Sequence, residues 1–279
     1  MEVVILEITI SPIGYVVSDF KEPEDMPLHG KSAVIEVDPK YVEGLKMIEH
    51  NSHLWILSWF DRADRNVMVK RPVRIDPNIS EFGVFALRTP PRPNPIALSL
   101  VEFDGVSGNK LYVSKYDAAH GTPVLDIKPY FQKDIVFSPD TPDIRPATIE
   151  MKREWFMEEA LQHHKELCHS LVIGVRMAAI ADFILGKISD SKITVHTAGS
   201  ACLFDTLQGL SRGRFANPPR VSIEIIAYAG DETSLWKSVW RKDNQQLTIL
   251  CNPHKIFNMD LREIQEKQDD ELFEVIHSS

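Results

Sequence analysis

Two arginines and an asparagine set among prolines are the first groups in this chain with chemistry to offer. Within Phe82–Leu100, Pro90, Pro91, Pro93 and Pro95 fall inside six residues, beside Arg88, Arg92 and Asn94. Each proline fixes its own φ, restrains the residue before it and offers a carbonyl without an amide hydrogen, which predicts a stiff, acceptor-rich loop. Such a loop holds a guanidinium at little further entropic cost. Arginine can then grip a carboxylate or phosphate through two parallel donors, while Asn94 reads both donor and acceptor edges. A rigid turn with solvent-facing arginines is the plain alternative. A second dense segment, Tyr116–Tyr130, carries Asp117, His120 and Asp126 around Gly121-Thr122-Pro123. Asp61, Asp126 and His120 are competent proton acceptors by type; otherwise Asp126 orients Lys128 and His120 caps a turn. The third segment, His163–Met177, places His164 and Cys168 four residues apart ahead of an apolar run. On a continuous helix they share one face, which suits a zinc-like ion. Histidines at a helix end and a packed thiol are the ordinary alternative. Cys251-Asn252-Pro253-His254 has ligand spacing but no partner pair, and reads as a turn.

These groups need elements to position them. Val3–Ile10, Ser32–Val37 and Leu111–Tyr116 are short Val/Ile-rich runs bounded by Gly, Pro and Asp, and Leu54–Phe60 reads as a buried strand. Pro39–Glu49, behind Asp38, predicts a short capped helix. A Pro/Asp cluster at Ser138–Asp143 reads as a linker. Beyond it, Lys152–Glu166 and Ser170–Gly186 have helical spacing, and Lys192–His196 and Arg220–Tyr228 read as strands. Met259–Phe273 is a charged helix for a surface or dimer contact. The expectation is a mainly β domain over residues 1–148 followed by an α+β domain over 149–279.

Bulk properties bound the function. The chain has 279 residues, 43% of them hydrophobic and 25% charged, with a net charge of −9; it is an ordered globular chain long enough for two cores. Residues 1–150 hold 16 basic and 22 acidic side chains, leaving 15 and 18 in the remainder. Neither half is basic, which argues against a polynucleotide substrate because phosphate neutralisation supplies much of that affinity. Arg62, Arg65, Lys70, Arg71 and Arg74 form a candidate patch, though such a cluster is more often a solvated loop. The apolar stretch Leu171–Gly186 is too short and, with Arg176 and Asp182, too charged to span a membrane. With no signal-peptide pattern and three cysteines, the expectation is a cytoplasmic protein with thiols or metal ligands rather than disulfides.

The proline loop, the Tyr116–Tyr130 segment and Ser52–Leu57 together resemble the TsaA/TrmO-like family. Its pattern is Ala-Thr-Arg…Arg-Pro-Asn-Pro-Ile-Gly followed by Asp-Gly-Thr-Pro-Val-Leu-Asp-Ile-Lys-Pro-Tyr. The resemblance implies a small single-sheeted β-barrel, used as a homodimer, that binds S-adenosylmethionine for methyl transfer. Its best-known members modify threonylcarbamoyladenosine beside the anticodon of transfer RNA. Carried over residue by residue, the implied cofactor positions are Asp61, Arg62, Arg88, Arg92, Asn94, Leu98, Ser114, Lys115, Tyr116, Asp117, Gly121 and Thr122, with Asp126 and His120 as candidate catalytic groups. Leu87, Ala97, His120 and Asp61 stand where the family has Thr, Gly, Asp and His, which points to a changed acceptor.

A looser resemblance, over residues 154–230, is to FmdE-like domains, named for a subunit of formylmethanofuran dehydrogenase. Their Phe-His-Gly-His-x-Cys-Pro-Gly-Leu-x-Leu-Gly-x-Arg pattern aligns with His164–Arg176, and their Cys-x-x-Asp-Ala-x-Gln segment with Cys202–Gln208. This implies a metal site of His164, Cys168 and Cys202, with Glu166 as a possible fourth ligand. Glu166, His169-Ser170 and Leu210 depart from the pattern. The expected function is therefore methyl transfer to a small-molecule or metal-bound acceptor, ahead of a transfer-RNA modifier and of a non-catalytic sensor of S-adenosylmethionine and metal.

Overall fold

The computed structural model describes residues 8–226 and 235–278. They form two compact units: the described residues of Met1–Pro72 with Ser80–Ile135, and Val73–Ile79 with those of Val136–Ser279. The expected strand at Val3–Ile10 lies mostly outside the described residues, and residues 8–10 are not in a strand.

In the first unit, strands β1 (Gly14–Val17), β2 (Lys31–Val37), β3 (His53–Trp59), β6 (Ile96–Ser107), β7 (Lys110–Tyr116) and β8 (Pro123–Pro129) close into an antiparallel barrel ordered β1-β2-β7-β6-β3-β8. A two-stranded ribbon, β4 (Val69–Lys70) with β5 (Phe82–Gly83), lies outside it. Alternation along the strands decides what fills the barrel. Ile35, Leu54, Ile56, Val101, Leu111, Val113 and Val124 point inward and are buried, as expected of a small barrel packed by its own side chains. The segment Pro39–Leu45, expected as a helix, is 3-10 instead, with the Asp38 carboxylate accepting from the Lys40 amide.

The second unit is built on helix α2 (His169–Leu185), whose core is buried nearly all round. Helices α1 (Ile149–His164) and α3 (Ala201–Ser211) pack on it. Beside them is a sheet ordered β10-β9-β11-β12-β13, made of β9 (Ile193–Gly199), β10 (Val221–Ile225), β11 (Trp236–Lys242), β12 (Gln245–Cys251) and β13 (Phe273–Ser278). Only β9 and β10 run parallel. The charges that interrupt the apolar run of α2 are compensated, as buried charges must be. Asp182 pairs with Lys152 at 2.5 Å and Arg145 at 3.2 Å, and Arg176 with Asp269 at 2.6 Å.

The single helix expected over Met259–Phe273 is instead α5 (Leu261–Glu266) and α6 (Asp269–Leu272), after the short α4 (Pro253–Phe257). Arg176 donates to the carbonyls of Ile264 and Lys267, at 2.5 and 2.7 Å, so acceptors that would continue α5 serve a buried guanidinium instead. Residues 227–228 of the strand expected over Arg220–Tyr228 lie outside the described residues; β10 covers Val221–Ile225.

Candidate functional site

Strand register brings the residues singled out in the first half to one end of the barrel. Trp59 at the end of β3 faces Ile96 at the start of β6, Ser58 faces Val124 near the start of β8, and Lys31 at the start of β2 faces Tyr116 at the end of β7. One rim therefore carries Asp61 and Arg62 after β3, the proline loop with Asn94 before β6, Tyr116 and Asp117 after β7, and His120, Gly121 and Thr122 before β8.

Buried polar side chains underlie this rim. The Tyr116 hydroxyl lies 2.5 Å from Ser58 Oγ, and Ser99 Oγ donates to Asp117 at 2.5 Å. Burial holds the Tyr116 phenol well above the ordinary tyrosine range, so it is a neutral plug. Lys115 beside it has φ +60°, an uncommon left-handed conformation for a side-chain-bearing residue. Its ammonium is held by Glu102 at 2.9 Å, and Ser114 Oγ donates to Asp104 at 2.9 Å. Gly30, at φ +68°, packs against this bend: a Cβ there would come within 2.6 Å of the Tyr116 carbonyl carbon.

The two loop arginines differ in kind. Arg92 is half-buried and donates to the carbonyls of Val84, at 2.5 Å, and Leu87. It holds the loop together from within. Arg88 is exposed, and no hydrogen bond ties its side chain to another described residue. Arg62 donates to the Lys21 carbonyl at 3.1 Å and pairs with Glu22 at 3.2 Å. Arg65 donates to the Pro93 carbonyl at 2.8 Å and lies over the Trp59 ring; Arg71 pairs with Glu81 at 3.4 Å.

A register shift between Leu57 and Ser58 turns Asp126 to the outside of the barrel, where it faces Leu57; on its other side Leu57 faces Leu98. Leu98, Leu57 and Asp126 thus form one row across three strands, about 10 Å from end to end at ordinary strand spacing. Asp126 accepts from the Ile127 amide at 2.9 Å and pairs with Lys128 at 2.6 Å. His120 Nδ1 accepts from the Ser18 amide at 3.4 Å. In a neutral imidazole that places the remaining proton on Nε2, so His120 presents a donor outward.

The second unit gathers the third segment. Helix α1 ends at His164 because Lys165 takes φ +64°, a left-handed cap, and Cys168 is the N-cap of α2, its Sγ accepting from the Leu171 amide at 3.4 Å. His164 and Cys168 are therefore not on one helical face, as their spacing suggested; they meet across the turn between two helices. His164 Nε2 lies 3.5 Å from Cys168 Sγ, and Cys202 near the start of α3 completes a set whose ligand atoms lie within 4.8 Å of one another. Glu166 is exposed and outside that set. Burial, then the Cys168 thiol beside it, holds the Cys202 thiol above its ordinary range. A cation would reverse the second of these effects. Asp205, the aspartate of the Cys-x-x-Asp match, which carried no expected role, accepts from His164 Nδ1 at 2.7 Å.

The sequence profile of the tRNA-methyltransferase O N-terminal domain matches residues 15–134. A probable S-adenosyl-L-methionine-binding protein of Archaeoglobus fulgidus is 36% identical over 193 residues, which are 67% of this chain and 52% of that protein. The chain thus spans about half the length of that relative, and the likeness, longer than the 135 residues that end with the barrel unit, runs on into the second unit. A protein of the same description from Methanothermobacter thermautotrophicus is 40% identical over 133 residues, 46% of this chain and 93% of that one. A Rattus norvegicus protein named tRNA (adenine(37)-N6)-methyltransferase is 46% identical over 85 residues, 30% of this chain and 19% of that one. A six-stranded barrel with this rim, matched over its length by such relatives, defines the class: the chain belongs to the TrmO-like family. The profile match falls on residues 15–134, most of which form the first unit.

Proposed function

We propose that this chain transfers the methyl group of S-adenosylmethionine to a nucleophile on a small molecule or metal-bound group, with the cofactor held at the barrel rim. The observation that carries the reading is the convergence, by strand register, of Asp61, Asn94, Leu98, Asp117 and Thr122 on one end of the barrel, next to an arginine free to take a carboxylate. When bound, the cofactor supplies an activated methyl on a sulfonium, so the protein's work is alignment and exclusion of water. Arg88 grips the amino-acid carboxylate, Leu98 offers an apolar surface, and Asn94 with the main chain at Ser114–Asp117 and Gly121–Thr122 reads the polar edges. If the acceptor bears a proton, Asp126 takes it through lone pairs not used by Lys128 and Ile127, while His120 donates from Nε2 to orient the acceptor.

The acidic balance favours a small acceptor. So does the basic patch, in which Arg62 and Arg71 are already paired with Glu22 and Glu81. The second reading is methylation of transfer RNA, favoured by the printed names of the matching profile and the rat relative. Mass spectrometry of small molecules that copurify with the chain, beside an assay of methyl transfer to bulk transfer RNA, separates the two. A copurifying methylated small molecule and unmodified RNA are expected; methylated threonylcarbamoyladenosine would reverse the order.

Three further parts belong to this reading. The outer face of β3 and β6 pairs the half-buried Trp55, Leu57 and Trp59 with the exposed Leu100, Leu98 and Ile96, an apolar ladder that suits a homodimer contact. The second unit, read as FmdE-like, holds one zinc-type ion through His164, Cys168 and Cys202, a donor set that fits zinc and leaves a fourth position for a small donor. Free thiols fit a cytoplasmic location, and among the described residues no helix is long and apolar enough to cross a membrane.

A further inference from the structure

We propose that Asp205 is the positioning residue of the thiol–histidine site: its carboxylate holds the Nδ1 proton of His164, so that Nε2 is the atom His164 presents to a metal. The proposal rests on reading His164, Cys168 and Cys202 as metal ligands. An ionised carboxylate can only accept, so the 2.7 Å contact between Asp205 Oδ2 and His164 Nδ1 requires the proton on Nδ1. The Nε2 lone pair is then the free one, and it faces Cys168 Sγ at 3.5 Å. Bond lengths of ~2.05 Å for zinc–nitrogen and ~2.3 Å for zinc–sulfur at a tetrahedral angle separate the two donor atoms by roughly 3.6 Å. The observed spacing of this one pair matches that separation.

The backbone explains why these groups meet. Cys202 and Asp205 are three residues apart on α3 and so lie on one face of it. One helix therefore supplies both a ligand and the group that orients another ligand. Gly174 of α2 lets α3 approach closely, since a Cβ there would lie 2.8 Å from the Thr206 side chain, next in sequence to Asp205. Both thiols sit at helix starts, Cys168 as the N-cap of α2 and Cys202 second in α3, so neighbouring elements of the same bundle present them to one point. Stability does not account for Asp205. Its side chain is 50% exposed, and a polar contact so open to solvent contributes little to folding, whereas fixing a ligand's tautomer is what outer carboxylates do at metal sites.

The test uses the full-length chain and zinc alone. Competition with a chromogenic chelator should give one zinc per wild-type chain and an affinity about 10–100-fold weaker in Asp205→Ala, the range for loss of an outer-sphere partner. Asp205→Asn, whose amide oxygen still accepts from Nδ1, should recover part of the loss, and Cys202→Ser should lose most of the binding. The metal-free melting midpoint of Asp205→Ala should stay near the wild type. Nitrogen-15 NMR of the His164 ring should show the Nδ1-protonated tautomer in the wild type and a mixture in Asp205→Ala. Equal zinc affinity in wild type and a folded Asp205→Ala would overturn the role of Asp205 alone. No zinc bound by the wild type would overturn the metal reading and this proposal with it.

Discussion

Arg88 and Arg92 are four residues apart in the same proline-stiffened loop, yet their surroundings set them different tasks. Arg92 spends its donors on the carbonyls of Val84 and Leu87, whereas Arg88 stands exposed. Arg88→Ala should therefore weaken S-adenosylmethionine binding by the worth of a charge-assisted hydrogen bond, ~1.5–3 kcal/mol, with the melting midpoint unchanged. Arg92→Ala should lower the melting midpoint as well, because it leaves two loop carbonyls without their partner. Calorimetry with thermal melting on both variants checks this; equal cofactor affinity in wild type and folded Arg88→Ala would mean that another group takes the carboxylate. Gly30 makes a second residue-scale case. A side chain there meets both a left-handed φ and the main chain at Tyr116, so Gly30→Ala should cost more than about 1 kcal/mol in a urea titration. A smaller loss would show that the bend at Lys115 relaxes.

Within the elements, packing overrides pattern in identifiable places. Gly174→Ala forces α2 and α3 apart against Thr206 and should destabilise the second unit by ~1–3 kcal/mol, as overpacking does; no change in its denaturation midpoint would mean the helices slide freely. Cys251, at the end of β12, makes a pH-dependent contribution. Burial pushes its thiol up to about 12, above the roughly 8.5 of an unfolded thiol. Its folded state thus keeps a proton that the unfolded chain gives up, so this stabilisation is complete below about pH 8.5 and is lost as pH rises toward 12. Melting midpoints between pH 8 and 11 should fall more steeply in the wild type than in Cys251→Ala, and parallel curves would remove Cys251 as the cause. Strands β2, β3 and β7 and helices α1 and α2 were legible in the sequence, because alternation and helical spacing there match what each element buries. The break between α5 and α6 was not, since its cause is Arg176, some ninety residues earlier. Nor was the turn between His164 and Cys168: a lysine in a left-handed cap carries no sequence signal. Of the candidate site, Arg88 and Asp126 were visible by type and motif. Ser58 and Ser99 were missed, and Asp205 was aligned without a role, because only the fold shows what each one touches.

Across the whole molecule, charge and surface set the expectations for partners. A net charge of −9 and a partly self-paired basic segment predict weak binding of bulk transfer RNA. A salt titration tests this, and tight binding with a steep salt slope would contradict it. The apolar ladder on β3 and β6 predicts a homodimer that Leu100→Glu converts to monomer in sedimentation; a monomeric wild type would leave that face without its proposed occupant. If the barrel rim and Arg88 hold S-adenosylmethionine, the cofactor must bind the free protein saturably. The most direct test is isothermal titration of S-adenosylmethionine into the full-length chain, with Arg88→Ala alongside. One cofactor per chain and a roughly 10–100-fold weaker Kd in the variant are expected; no saturable binding to the folded wild type would contradict binding at the rim.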